Sequence, residues 1–146
     1  MQPSIPGSLT NPLLEKVLAI AGAVVCLIVT ISLWWSISNQ QSMWPLPGLY
    51  FMEMVAVSLV SAVVFVHGGS RSRLIPWGAI GILFAFSIIG AFSVGFFYIP
   101  VAIIFGAAAS LSDVRSRQPI DAHLGVCMLA GIAQAALMLA AIRLLY

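Results

Sequence analysis

One apolar run constrains this chain more than anything else in it: between Leu74 and Leu111 no charged residue interrupts the sequence. A single straight helix over that stretch would extend roughly 57 Å at 1.5 Å per residue. That is nearly twice the roughly 30 Å hydrocarbon core of a bilayer, and ordinary tilt does not absorb the difference. The alternative is a hairpin of two short spans, residues 74–92 and 96–111, with the turn at Ser93, Val94 and Gly95. Glycine can adopt the positive φ that ends a helix, and Pro100 suits the first turn of the next one.

The rest of the chain fits the same solvent. Three further apolar segments, residues 17–37, 49–66 and 120–142, are each long enough to cross a bilayer as a helix. Hydrophobic residues make up 62% of the chain and charged ones 7%, where a soluble domain carries about a quarter charged. A small soluble fold could not hide that much apolar surface, whereas lipid requires no hiding. Residues 1–146 therefore read as one integral membrane domain with a short polar tail over residues 1–12. Its expected class is all-α, a polytopic transmembrane helical bundle of five spans. The alternative is four spans, with residues 74–111 forming one long kinked helix.

Charge placement favours five. Lys and Arg collect in cytoplasmic loops, and the pairs Arg71/Arg73 and Arg115/Arg117 flank the long run on either side. A double crossing puts both pairs inside together with Lys16, and leaves residues 38–48 and the turn near Gly95 outside without a charge. Only Arg143 then remains outside. Trp34, Trp35, Trp44, Tyr50, Phe96, Phe97, Tyr98 and Tyr146 fall at the outer boundary, where amphipathic rings prefer to sit, and Trp77 marks the inner one. This predicts a cytoplasmic amino terminus and an outside carboxyl terminus, in the style of a prokaryotic plasma (inner) membrane protein. The first apolar run is longer than a signal-peptide core and ends on tryptophans, so it is expected to stay as a span.

Other classes find little support. The net charge of +2 is small and dispersed, unlike the clustered basic face that binds nucleic acid. Cys26 and Cys127 both lie in apolar runs and read as buried thiols. No phosphate-binding glycine loop, Ser-His-Asp set or paired-histidine metal motif is present, so neither catalytic residues nor a cofactor is expected.

Helices in lipid associate through small residues that let backbones approach. Ala102, Gly106 and Ser110 form one such stripe, Gly81 with Ala85 and Ser87 with Ala91 another, and Gly131 with Ala135 and Ala136 with Ala140 a third. The two Arg-Ser-Arg turns, each followed by a proline, echo one another, but short inner turns recruit arginine without any duplication.

Glu53 is the one acidic residue inside a span beyond its first turn, and intramembrane ionisable groups face protein or water. It sits near the outer boundary at the depth expected for Arg143, which suggests an ion pair tying the second span to the fifth, or alternatively an ion site. Gln134, in the middle of the last span, suggests an interhelical hydrogen bond. His67, His123 and Cys127 are weak metal or haem candidates, because two histidines on different spans lie at one depth and Cys127 follows His123 by four. Asp113 and Asp121 read as local pairing or helix caps beside the inner arginines.

Two functions are compatible with this. One is a non-catalytic accessory or assembly subunit of a larger membrane complex, in contact with lipid and with a partner protein or a second copy. The other is a small oligomeric transporter or channel component that uses Glu53.

Overall fold

The computed structural model describes residues 12–39, 46–67, 74–91, 93–116 and 120–145. Trp44, Arg71, Arg73, Phe92, Arg117 and Tyr146 lie outside the described residues, as does the side chain of Arg115. The fold is all-α, and among the described residues its α-helices are α1 (Pro12–Ser38), α2 (Leu46–His67), α3 (Leu74–Ile89), α4 (Ile99–Ser116) and α5 (Ile120–Leu145). Four stretches are long and apolar enough to cross a membrane: α1, α2, α5 and α4 together with the turn before it. At 16 residues, α3 is shorter, extending about 24 Å.

Prolines mark where the helices begin. Pro12, Pro47 and Pro100 each fall in the first two positions of α1, α2 and α4. The first N–H groups of a helix have no intrahelical acceptor, so a residue without an N–H loses nothing there. Pro12 thus starts a helix where the sequence suggested the end of a polar tail.

The long apolar run does turn back, which excludes the single kinked helix. Helix α3 stops at Ile89, and a 3₁₀ turn, Gly95–Tyr98, leads into α4. The Gly90 carbonyl accepts from both Ser93 N–H, at 2.9 Å, and Gly95 N–H, at 2.8 Å. Gly95 is not in the left-handed region that the sequence suggested. Its requirement is space: a Cβ there would lie 2.6 Å from both the Phe86 oxygen and the Gly90 carbonyl carbon.

The helices alternate in direction. Trp77 meets Asp113 and Phe86 meets Tyr98, so α3 and α4 are antiparallel. Cys26 faces Met54 and Trp34 faces Phe51 across α1–α2, and Gly22 faces Phe105 and Thr30 faces Tyr98 across α1–α4, in the same sense. Gly81 lies against Cys127 and Gly131 against Ala85, so α3 and α5 run parallel. One end of the bundle, here the first end, gathers Pro12, His67, Leu74, Ser116 and Ile120, and the second end gathers Ser38, Leu46, Ile89 and Leu145.

The core is built on Phe51, Met54, Leu83, Phe86, Tyr98 and Phe105, all nearly inaccessible. Its surroundings are equally apolar: Ile31, Phe84, Met128, Leu129, Ile132 and Leu144 all point outward. The closest seam joins α3 to α5, where a Cβ on Gly81 would overlap the Cys127 carbonyl oxygen. By contrast, α2 and α5 scarcely approach each other backbone to backbone.

Packing at the sequence-selected small residues is uneven. Gly81, Ala85, Gly131 and Ala135 gather at the α3–α5 seam. Ala102 is buried, but a Cβ on Gly106 would meet nothing within 4 Å and Ser110 is exposed. The α4 stripe therefore does not pack against this chain along its length, because only its Ala102 end faces the core.

Candidate functional site

Among the described residues, side-chain hydrogen bonds bridge helices towards both ends of the bundle. At the first end, Asp113 on α4 is 2% exposed and receives two donors on the same oxygen. Trp77 Nε1–H from α3 and His123 Nδ1 from α5 each lie 2.8 Å from Asp113 Oδ2. A carboxylate only accepts, so His123 Nδ1–H donates to it. The indole and imidazole rings stack at 6.1 Å with an 18° angle between their planes. One carboxylate thus fixes the depth of three helices.

Further polar groups lie at the same end. Ser112 and Glu15 are buried. The antiparallel α1–α4 register, Gly22 against Phe105 and Thr30 against Tyr98, brings Glu15 to the level of Ser112 and Asp113.

This overturns three sequence assignments. Asp113 is a buried bridge and not a local cap, because α4 continues to Ser116 and carries it inside the bundle. Trp77 is 8% exposed and turned inward, so it does not mark an interface with headgroups. Tyr98, assigned to the outer belt, is fully buried, and its hydroxyl pairs with Thr30 Oγ1 at 2.9 Å. Phe96, Phe97, Trp34 and Trp35 are exposed.

Towards the second end, α2 and α5 are joined across their gap by long side chains. Gln134 Nε2 donates to Glu53 Oε2 at 3.0 Å, and the Tyr50 hydroxyl donates to the Met138 carbonyl at 3.5 Å. Gln134 is 3% exposed and Glu53 half-buried. The ion pair suggested for Glu53 and Arg143 is not formed among the described residues, and Arg143 is exposed. Position along the helix explains it: Arg143 lies about two and a half turns beyond Gln134, roughly 13 Å along the axis.

Of the ligand candidates, His67 is exposed at the end of α2, His123 is engaged with Asp113, and Cys127 sits at the α3–α5 seam. Among the described residues, no group of three or more His, Cys, Asp and Glu side chains could hold a metal ion. Asp121 is exposed in the first turn of α5.

A groove of about 540 Å³ runs along the outside of the α3–α5 seam. Gly81, Ala85, Gly131 and Ala135 line it with Phe84 and Ile132. Comparison of the chain with known protein families, with curated proteins and with solved structures finds no match.

Proposed function

We propose that this chain is a non-catalytic assembly subunit of a larger membrane complex, and that its α3–α5 seam receives a transmembrane helix of the partner. The observation that carries this reading is the groove of about 540 Å³ along that seam. Gly81 and Gly131 at its floor are closed against each other's helix, the exposed Phe84, Ile88, Met128 and Ile132 form its apolar walls, and in lipid such packing surfaces drive helix association. A knob of Leu, Ile or Phe on the partner helix matches the chemistry of the lining.

In this reading the protein crosses a prokaryotic plasma membrane five times. Its first end, next to Lys16 and the Arg-Ser-Arg turns of the sequence, faces the cytoplasm. A reporter fused to the carboxyl terminus should give an external signal and one fused to the amino terminus a cytoplasmic signal.

The decisive experiment is affinity purification of the tagged chain from native membranes. A stoichiometric partner should be retained, and Ile132→Trp, at an exposed groove position, should release it without unfolding the subunit. A homogeneous preparation containing this chain alone would refute the assembly role.

A second reading, a small oligomeric transporter or channel component, draws on the half-buried Glu53 carboxylate held across the α2–α5 gap by a neutral amide. It requires ion flux in proteoliposomes that is lost in Glu53→Gln.

A further inference from the structure

Helices α2 and α5 are joined by two consecutive rungs of polar groups. Glu53 Oε2 accepts from Gln134 Nε2 at 3.0 Å. One turn nearer the second end, the Tyr50 hydroxyl donates to the Met138 carbonyl at 3.5 Å. The two helices are antiparallel, so Tyr50, which precedes Glu53 on α2, meets Met138, which follows Gln134 on α5. At 1.5 Å per residue the rungs are about 4.5 Å apart along α2 and about 6 Å apart along α5.

The charge on Glu53 is what these hydrogen bonds leave unbalanced. An ionisable side chain within a span is costly, and such groups pair with one another or mark ion pathways. Gln134 is neutral, and among the described residues no basic side chain pairs with Glu53. Arg143 is exposed, about 13 Å further along α5. One neutral N–H donor therefore leaves a negative charge half-buried among apolar helices, where an unpaired charge costs far more than in water. A positive ligand would remove that cost.

The groups present select the kind of cation. The Glu53 carboxylate, the Tyr50 hydroxyl and the Met138 carbonyl all offer oxygen, and Gln134 offers its own oxygen when its terminal amide turns. Carboxylate and carbonyl oxygens suit hard cations, not soft ones. One carboxylate balances a single positive charge. An ion midway between the rungs would lie about 2–3 Å from each along the helix axes. That range brackets the roughly 2.3–2.6 Å oxygen distances of calcium, whose radius sodium nearly shares.

We propose that Tyr50, Glu53, Gln134 and Met138 form a binding site for one sodium ion between α2 and α5. The proposal deepens the second reading above and rests on the same Glu53 carboxylate. The ion replaces the amide N–H as the partner of that charge and ties α2 to α5, which scarcely touch backbone to backbone.

The test titrates the full chain, purified in detergent micelles, with radioactive sodium against choline chloride at constant ionic strength and pH. A single saturable site is expected, displaced by unlabelled sodium chloride and not by choline. Replacing choline with sodium should also raise the unfolding midpoint until the site fills, because a ligand of the folded chain stabilises it. Glu53→Gln should abolish both effects. Tyr50→Phe, which removes one oxygen, should weaken sodium affinity by about tenfold, the result of a modest loss of binding energy. It decides the matter alone if Glu53→Gln does not fold.

Absence of saturable sodium binding, or binding that is unchanged in both variants, would overturn the proposal. So would a midpoint that responds to pH and not to sodium, which would make a proton the partner of Glu53. Sodium binding without flux in proteoliposomes would leave the site standing and refute only the transport reading.

Discussion

The shared acceptor at the first end allows a quantitative test of what holds three helices in register. Trp77→Phe removes one donor to Asp113 while retaining an aromatic ring. Hydrogen bonds to charged groups contribute about 1.5–3 kcal/mol, although measured interhelical bonds in a membrane protein average about 0.6 and reach about 1.7. With the bond at 2.8 Å and both partners more than nine-tenths buried, a loss of about 1–2 kcal/mol is expected, near the upper membrane values.

Asp113→Leu removes the acceptor from both Trp77 and His123 and should cost more, about 2–4 kcal/mol, because two buried donors lose their partner at about 1–3 kcal/mol each. The two changes should not add. Once the carboxylate is gone, the indole N–H has nothing left to lose at that position, so the double variant should be no less stable than Asp113→Leu alone. Reversible unfolding in mixed micelles, followed by far-ultraviolet circular dichroism, measures all three. Additivity within about 0.3 kcal/mol, as for distant independent sites, would show that the bond carries no energy and that the geometry is incidental.

Other substitutions separate the remaining contacts. Gly81→Leu should push α3 off the Cys127 carbonyl and destabilise the bundle by about 3 kcal/mol or more, the upper range for overpacking, seen as a fall in unfolding midpoint. Gln134→Leu should cost about 0.6–1.7 kcal/mol through loss of the Glu53 bond, whereas Arg143→Ala should stay within about 0.5 kcal/mol, as expected for an exposed position. Equal effects in the two variants would restore the ion pair with Arg143. Gly95→Ala should cost about 1–3 kcal/mol, because a methyl group 2.6 Å from the Phe86 oxygen forces the turn open. Thermal denaturation in detergent would read it.

Particular residues show how far the fold was legible beforehand. The break in the long apolar run was visible because helix length against bilayer thickness is a one-dimensional argument, and the Gly and Pro residues near position 95 localise it. The reason for Gly95 was not visible. Close approach to Phe86 and Gly90 depends on how the turn closes in space, while a positive φ is only the usual cause of such a glycine. The α3–α5 glycines were identifiable as packing positions, but not their partners, since several small-residue faces compete and only three-dimensional placement leaves Gly106 open.

The candidate sites were harder to read for the same reason. Matching Glu53 to Arg143 assumed that charges at similar depth meet, yet the antiparallel register sets the neutral Gln134 opposite. Asp113 was hidden by its position beside two arginines, which reads as a loop until α4 is seen to persist through it. Its two donors come from helices whose alignment depends on every packed residue between them. Thr30 with Tyr98 gave no signal at all, because a tyrosine next to Phe96 and Phe97 has the composition of an interfacial belt.

The parallel seam between α3 and α5 also bears on how the chain is made. Translation delivers α3 well before the helix that covers its glycine face, and α3 is the shortest of the five. Until synthesis reaches Ile120 and beyond, the backbone at Gly81 has no mate, although α2 and α4 already pack on other faces of α3. Until then the nascent bundle is an unfinished product with an uncovered glycine face. A ribosome that stops before α5 should leave a fragment that is cleared while the full-length chain persists.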